Sequence, residues 1–215
     1  MQPASTVLLT GFEPFDGRAV NASWEALQGL QGGEILGHRV ETLCLPVAYD
    51  ALAEPLLAGL ARHTPRVAIA FGEGPPVVQI EMLARNGYAP EGRLDNRGRA
   101  PSRREIVPGA AEEIPTRLPA GELVAALLAA GVPARTSADC GGYLCNECFY
   151  RLMQAAPGPA LRGFVHVPIV GAPDATGGVF DAEKLRKAAR IVVEITLRAA
   201  MGNKSVEQCF GVNAN

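Results

Sequence analysis

Five apolar residues in a row, Val67-Ala68-Ile69-Ala70-Phe71, lie between Arg66 and Gly72. A strand buried on one face alternates apolar and polar side chains, whereas an unbroken run is typical of a strand covered on both faces. The run therefore predicts a central strand over residues 66–72. Because both faces of this strand need covering, we expect helices on each side of a mainly parallel sheet.

Shorter apolar runs and stretches of helical periodicity alternate along the rest of the chain. The other predicted strands are Val7–Leu9, Val40–Val47, Val77–Ala84, Val132–Thr136 and Gly163–Val170. The predicted helices run from Asn21 or Ser23 to Leu30, from Ala51 to Ala61, from Gly121 to Gly131, from Tyr143 onward, and from a capping Asp181 to about Ala200. This alternation indicates an α/β fold: a three-layer α/β/α sandwich around a mainly parallel twisted sheet.

The whole chain, residues 1–215, is expected to form a single domain, because no linker or repeat interrupts it. Residues 85–114 are polar and rich in glycine, proline and arginine, which predicts an irregular excursion of the kind that serves as a functional loop or a subunit contact. Residues 203–215 are predicted to form a polar tail.

Composition excludes several classes of function. Hydrophobic residues make up 48% and charged residues 20% of the chain, which supports a sizeable core and excludes disorder. The net charge of −2, with acids and bases well mixed, gives no basic surface for nucleic acid. The first residues do not predict a signal peptide, no apolar run has the length of a membrane span, and five cysteines without framework spacing suit a reducing compartment. We therefore expect a cytoplasmic protein with no nucleic-acid or membrane partner.

Cys145 follows a Gly-Gly bend and falls in the first turn of a predicted helix. Unpaired backbone N–H groups and the positive end of the helix dipole stabilise an anion at such a place. The pKa of the Cys145 thiol is therefore expected to be lowered, which makes Cys145 a candidate nucleophile.

Two other interpretations of this cysteine remain open. A free cysteine is commonly a small buried apolar residue. In addition, Cys140, Cys145 and Cys148 have the C-x4-C-x2-C spacing of plant-type iron–sulfur proteins, with Cys209 as the downstream candidate for a fourth ligand. The helical pattern around Cys145 and Cys148 argues against such a cluster.

His166 and Glu81 are polar residues inside otherwise apolar predicted strands. Each is either a satisfied polar residue of the sheet or a placed catalytic group. A cysteine nucleophile needs a base, and the base needs a group that orients it. A triad of Cys145, His166 and Glu81 is therefore a coherent hypothesis.

Two Gly/Pro loops follow predicted strands, at the carboxyl ends where sites form in α/β folds. The first, Phe12–Gly17, carries two phenylalanines around a proline, and these line a pocket or fill the edge of the core. The second is Gly72–Pro76. No Walker loop and no G-x-G-x-x-G motif indicates a nucleotide.

Taken together and in this order, the motifs resemble the pyroglutamyl peptidase I family, the pyrrolidone carboxyl peptidases, which are cysteine exopeptidases. The resemblance spans nearly the whole chain. It is carried by Gly11–Phe15, Asn21–Glu25, Glu81 with Ala84 and Asn86, Gly142–Asn146 with Phe149 and Tyr150, and Gly163–Pro168.

The resemblance implies removal of an N-terminal pyroglutamyl residue from peptides, with no cofactor and no metal. By position, Cys145 would attack the carbonyl, His166 would shuttle the proton and Glu81 would hold His166. The family is typically a cytosolic homotetramer. The residues expected to bind substrate are Phe12, Phe15, Asn21, Gly72, Glu73, Tyr143 and Leu144.

The chain also departs from the family pattern. The loop between Gly72 and Glu81 is about two residues shorter than expected and carries two prolines. The other departures are Asp16 for a glycine, Met82 for an arginine, an altered Arg93–Asn96 stretch, Cys140 in the approach to the nucleophile, and Glu147 for a common histidine. A catalytically impaired α/β relative acting as a binding protein is therefore the alternative.

Overall fold

The computed structural model describes residues 5–90, 92–155, 161–175 and 177–209, and only the backbone of residues 203–209. The strands are β1 (Thr6–Phe12), β2 (Glu34–Ile35), β3 (His38–Leu45), β4 (Val67–Gly74), β5 (Val78–Glu81), β6 (Leu83–Arg85), β7 (Glu113–Pro115), β8 (Ala134–Ser137) and β9 (Leu161–Pro168). The helices are α1 (Ala22–Glu25), α2 (Ala53–His63), α3 (Ala120–Ala129), α4 (Leu144–Gln154) and α5 (Ala182–Cys209).

Seven strands form one sheet in the order β2-β3-β1-β4-β9-β5-β8. Strands β3, β1, β4 and β9 are mutually parallel, so the prediction of a mainly parallel sheet is confirmed. The strands β5 and β8 pair in parallel with each other, but β5 is antiparallel to β9. The last strand of the sequence, β9, is thus inserted between two earlier ones.

Strand β4 occupies the centre of the sheet, as its apolar run predicts. Its residues Val67, Ile69 and Phe71 belong to a buried cluster that includes residues of α1, α3 and α5. The alternate residues Ala68 and Ala70 belong to a second cluster, with residues of α2 and α4. Burial of a side chain such as Phe71 stabilises the fold by about 1.5–3 kcal/mol. The two clusters confirm the three-layer α/β/α arrangement.

Two helices differ in length from their predictions. Helix α1 begins after Asn21, as predicted, but it ends at Glu25, and a series of turns with Gly29 and Gly32 at positive φ follows instead of a helix to Leu30. Helix α5 continues to Cys209, because a glycine such as Gly202 costs only about 1 kcal/mol inside a helix. Residues 203–209 of the predicted tail are therefore helical, and residues 210–215 lie outside the described chain.

The excursion over residues 85–114 is closed by a short antiparallel pair, β6 with β7. Its interior is otherwise irregular in the part that the structure describes. Asn86, near the start of the excursion, is hydrogen-bonded to Val107, near its end. The Asn86 side chain donates to the Val107 carbonyl and accepts from the Val107 N–H, both at 2.8 Å. Among the described helices, none combines the length and the apolar character needed to cross a membrane.

Candidate active site

His166 and Glu81 lie side by side on one face of the sheet. Strand β5 runs antiparallel to β9 with Gln79 opposite His166, so Glu81 is a diagonal neighbour of the histidine. The His166 Nδ1 atom is 2.8 Å from the Glu81 Oε1 atom. Glu81 is completely buried and His166 nearly so, which places this pair away from bulk water. Both residues therefore lie where the triad hypothesis requires them.

Cys145 is the second residue of α4 and its side chain is half-buried. The helix begins after Tyr143 without any side chain capping it, so the first backbone N–H groups have no partner from a cap. The Cys145 thiol lies beside the His166 ring and interacts with it.

The ionisation of His166 follows from these contacts. Burial disfavours the charged ring, but the hydrogen bonds to Cys145 and Glu81 outweigh it and raise the pKa of His166 to about 9. At neutral pH the ring is therefore an imidazolium, and it lies between the Glu81 carboxyl group and the Cys145 side chain.

Two glycines at the end of β4 make room for this pair. A Cβ atom at Gly72 would lie 2.9 Å from the Cys145 Sγ atom and 2.6 Å from the ring of Phe164. A Cβ atom at Gly74 would lie 2.8 Å from the Cβ atom of His166. Any side chain at either position would displace Cys145, Phe164 or His166. Strand β4 thus extends to Gly74, two residues beyond its predicted end, and the two glycines serve close packing in a strand and not in a loop.

The loop after β1 is fixed by Asn21. Its side-chain oxygen accepts hydrogen bonds from the Ser23 N–H and hydroxyl groups, and its amide donates to the Glu13 carbonyl. The Ser23 hydroxyl in turn accepts the Phe12 N–H at 3.0 Å. This network determines where the Phe12 ring lies.

Glu73 connects the end of β4 to the same loop. One carboxylate oxygen accepts the Ala22 N–H at 3.0 Å, and the other forms a salt bridge with Arg18. The Arg18 guanidinium lies over the Phe15 ring, 4.5 Å from its centroid. The negative charge of Glu73 is therefore neutralised before any ligand enters.

Residues of the excursion lie next to Phe15 and Tyr143 at the site. The Arg93 guanidinium lies 5.2 Å from the Phe15 ring centroid and 5.1 Å from that of Tyr143, and it pairs with Asp16 at 3.0 Å. The Tyr143 hydroxyl donates to the Leu94 carbonyl at 3.0 Å. Asp16 has a positive φ of 60°, a conformation that glycine adopts more readily, and its carboxylate gains the Arg93 contact.

Asn146 ties the nucleophile helix to the start of the excursion. Its side chain accepts the Arg85 N–H and donates to the carbonyls of Arg85 and Gly87. Gly142, in the turn before α4, accepts the Ala89 N–H, and a Cβ atom there would lie 2.3 Å from the Ala89 nitrogen. In the sequence, Asn146 stands out only as part of the Gly142–Asn146 motif. Its positioning role follows from these contacts with residues distant in the chain.

A cavity of about 150 Å³ opens beside Cys145. Of the predicted site residues, Gly72 and Glu81 do not line it: Gly72 lies beneath the thiol and Glu81 behind His166. The sequence did not place Val47, Arg93 or Cys140 in the pocket, because only the tertiary fold brings their segments there. The lining residues are Phe12, Phe15, Asn21, Val47, Glu73, Arg93, Cys140, Tyr143, Leu144, Cys145 and His166.

The two thiols nearest to Cys145 in the chain differ from it. Cys140 and Cys148 are buried, and burial, together with the nearby Cys145, raises the pKa of both. Within the described part of the chain, the three thiols do not meet at ligand distances around a common point, and the Cys209 side chain lies outside it. The geometry therefore gives no support to the iron–sulfur interpretation.

The site combines a thiol on a helix, an imidazole and a buried carboxylate beside the inner strands of an α/β/α fold. This arrangement is that of a cysteine hydrolase. Comparison with known proteins agrees with this class. The family model described as pyroglutamyl peptidase matches residues 5–198, and the chain belongs to that family. The resemblance read from the sequence motifs is thus confirmed.

Individual relatives carry the same name. The pyrrolidone-carboxylate peptidase of Gloeobacter violaceus is 42% identical over 167 residues, which cover 75% of this chain and 80% of the relative. A crystal structure of a mutant pyrrolidone carboxyl peptidase from Pyrococcus furiosus superposes with a TM-score of 0.82 at 29% identity, covering 90% of this chain and 98% of that one. Bacillus amyloliquefaciens pyroglutamyl peptidase I gives a TM-score of 0.82 at 27% identity, with 91% and 98% covered.

These relatives decide between the two functional hypotheses. The chain is an enzyme of the pyroglutamyl-peptidase I type, a cysteine peptidase, as the motifs predicted. The alternative, a catalytically impaired binding protein, is not favoured.

Proposed function

We propose that Cys145, His166 and Glu81 are the catalytic residues with which this chain removes N-terminal pyroglutamyl residues from peptides. One observation carries the assignment: the His166 ring bridges a buried carboxylate and a thiol that faces a cavity. The relatives' names indicate the reaction, and the contacts of these three residues support the proposed roles.

The reaction proceeds in two stages. The Cys145 thiolate attacks the carbonyl carbon of the pyroglutamyl residue, and the imidazolium of His166 gives its proton to the departing amine. Water then attacks the resulting thioester while His166, now neutral, takes a proton from it. Glu81 keeps the ring oriented and stabilises its positive charge in both stages.

The oxyanion that forms in each stage needs hydrogen-bond donors. The uncapped start of α4 supplies them, because the backbone N–H groups of Leu144 and Cys145, in the first turn, have no intrahelical acceptor. In related hydrolases one such donor contributes about 10²–10³ in rate. The absence of a capping side chain thus leaves these N–H groups free to bind the oxyanion.

The pocket suits a flat, uncharged lactam. Phe12 and Phe15 offer apolar ring faces, and backbone groups near Phe71–Glu73 are the proposed partners of the lactam amide. An open-chain glutamine or glutamate would bring an ammonium group close to Arg93, whereas the carboxylate of Glu73 is already paired with Arg18. Burying that charge without a partner is costly.

We therefore expect a strong preference for the pyroglutamyl group. An L-pyroglutamyl amide should be cleaved with a kcat/KM at least about 100-fold above that of the glutaminyl and prolyl amides, which both carry a cation. Replacing Phe15 by alanine should raise KM more than it lowers kcat, because the ring contributes uniform binding. Release of a fluorophore from the three amides by one enzyme preparation measures this.

The outcome distinguishes two possible errors. Equal kcat/KM values for the three amides would overturn the pocket assignment while leaving the nucleophile intact. No release from any of them by a folded preparation would overturn the proposed function itself.

We also propose that the chain acts in the cytoplasm as a homotetramer. The support is the family resemblance and the irregular segment over residues 85–114, whose exposed arginines and prolines are typical of subunit contacts. Light scattering of the native protein should give about four times the chain mass of 22.6 kDa. A strictly monomeric mass at micromolar concentration would contradict it.

A further inference from the structure

Cys140 lies against the catalytic pair, although the reaction has no use for it. One ligand atom from each of Cys140, His166 and Glu81 falls within 4.8 Å of the others. All three side chains are buried, at 6%, 8% and 0% exposure. Cys140 and His166 also line the cavity that leads to solvent. A small ion entering that cavity therefore meets a thiol and an imidazole together.

A second observation points to a ligand at this place. The Glu81 Oε2 atom is buried, and among the described residues it has no hydrogen-bond partner. Its twin, Oε1, is occupied by His166. Leaving a buried carboxylate oxygen unpaired is unfavourable by about 1–3 kcal/mol, and a cation would satisfy it.

We propose that Cys140, His166 and Glu81 form a binding site for a thiophilic divalent cation, zinc or cadmium, which switches the enzyme off reversibly. Thiolate, imidazole and carboxylate are the three ligand types that zinc uses in proteins. Cadmium shares its preference for thiolate, whereas magnesium and calcium prefer oxygen ligands.

The geometry needs only a small adjustment. Zinc bonds of about 2.0–2.3 Å at tetrahedral angles place ligand atoms about 3.3–3.8 Å apart, somewhat closer than the 4.8 Å limit found here. Cys140 can supply the movement, because it lies in the turn between β8 and α4, next to Gly141 with its positive φ of 75°. Glu81 and His166 lie on paired strands and can stay in place.

Binding is coupled to loss of protons. The Cys140 thiol releases its proton as the metal–sulfur bond forms, and the His166 ring must be neutral to coordinate.

Occupation would stop catalysis in a defined way. A metal bound to one ring nitrogen of His166 keeps the ring from becoming an imidazolium, so it cannot take up and pass on the proton of the reaction. A metal bound to Glu81 takes away the carboxylate that orients the ring. The nucleophile itself is not consumed, so a chelator such as EDTA should restore activity. This mode needs Cys140, in contrast to inhibition through Cys145 and His166 alone.

The test measures binding in a protein that lacks the nucleophile. Cadmium chloride is titrated into Cys145→Ala, and the ultraviolet charge-transfer band of the cadmium–thiolate bond is recorded. We expect one cadmium per chain, with the affinity lowered about 10–100-fold or more by adding Cys140→Ala and also reduced by adding Glu81→Gln. Adding Cys148→Ala is the matched control, because it removes another buried thiol of the same region and should leave the affinity unchanged.

Either of two results would overturn the proposal: equal cadmium affinity with and without Cys140, or no saturable band at millimolar cadmium in Cys145→Ala. Circular dichroism checks that each variant is folded, and Cys140→Ser replaces Cys140→Ala if the latter does not fold. Because an inactive protein is used, failure of this proposal is distinguishable from failure of the proposed peptidase function. In the unmodified enzyme, zinc inhibition that EDTA reverses is the second readout.

Discussion

Cys145→Ala is expected to abolish hydrolysis of an L-pyroglutamyl amide while leaving the protein folded. The substitution removes the attacking sulfur, and alanine is well tolerated in the first turn of a helix. Loss of a covalent nucleophile reduces turnover by about 10⁴-fold or more in comparable hydrolases. The measurement is fluorophore release, with the thermal transition followed by circular dichroism to establish that the fold is intact.

Cys148→Ala is the matched control for this variant. Cys148 lies one turn further along α4, is completely buried, and its thiol does not face the cavity. Its replacement should leave kcat within a few-fold of the unmodified enzyme. Alkylation provides a separate check: iodoacetamide should label Cys145 before Cys140 and Cys148, whose thiols are buried and hold their protons. Full activity of a protein with Cys145 alkylated would refute the assignment.

His166→Ala should lower kcat by about 10⁴-fold, and Glu81→Gln by less, about 10²-fold or somewhat more. The alanine variant lacks both the base and the acid of the reaction. The glutamine variant keeps a side chain that can orient the ring, but its neutral amide stabilises the imidazolium poorly. Steady-state kinetics of both variants would show the difference, and turnover like that of the unmodified enzyme in both is incompatible with the triad.

The pH profile separates a catalytic role of Glu81 from a structural one. In the unmodified enzyme His166 is protonated below its pKa of about 9, so the alkaline limb of activity should fall as the pH rises through that value. Glu81 helps to raise this pKa, so Glu81→Gln should move the limb to lower pH. A merely structural loss would reduce activity at every pH and leave the limb in place.

The sequence predicted the parts of this site that local patterns report. The apolar run 67–71 identified the central strand, the glycines before Cys145 identified a helix start, and His166 stood out against an apolar strand. Such signals depend on residues that are neighbours in the chain. The motifs then connected them to a family, and this connection is confirmed.

The remaining parts depend on contacts between distant residues. Nothing near residue 81 indicates that β5 runs antiparallel to β9, yet this direction brings Glu81 to His166. The place of Arg93 over Phe15 and the approach of Cys140 to the catalytic pair are likewise products of the tertiary fold. Helix α5 shows that a local signal can also mislead. Gly202 suggested the end of the helix, but the helix continues to Cys209.

The insertion of β9 between β4 and β5 has a consequence for the order of assembly. A chain emerging from the ribosome presents β4, β5 and the nucleophile helix before residues 161–168 exist, and these residues carry His166. Pairing across such a sequence separation is a slow, late event in folding. The strand that closes the gap in the sheet also carries His166, so a nascent or truncated chain has the Cys145 thiol without the proposed base. On the proposed roles, the chain gains peptidase activity only when its sheet is complete.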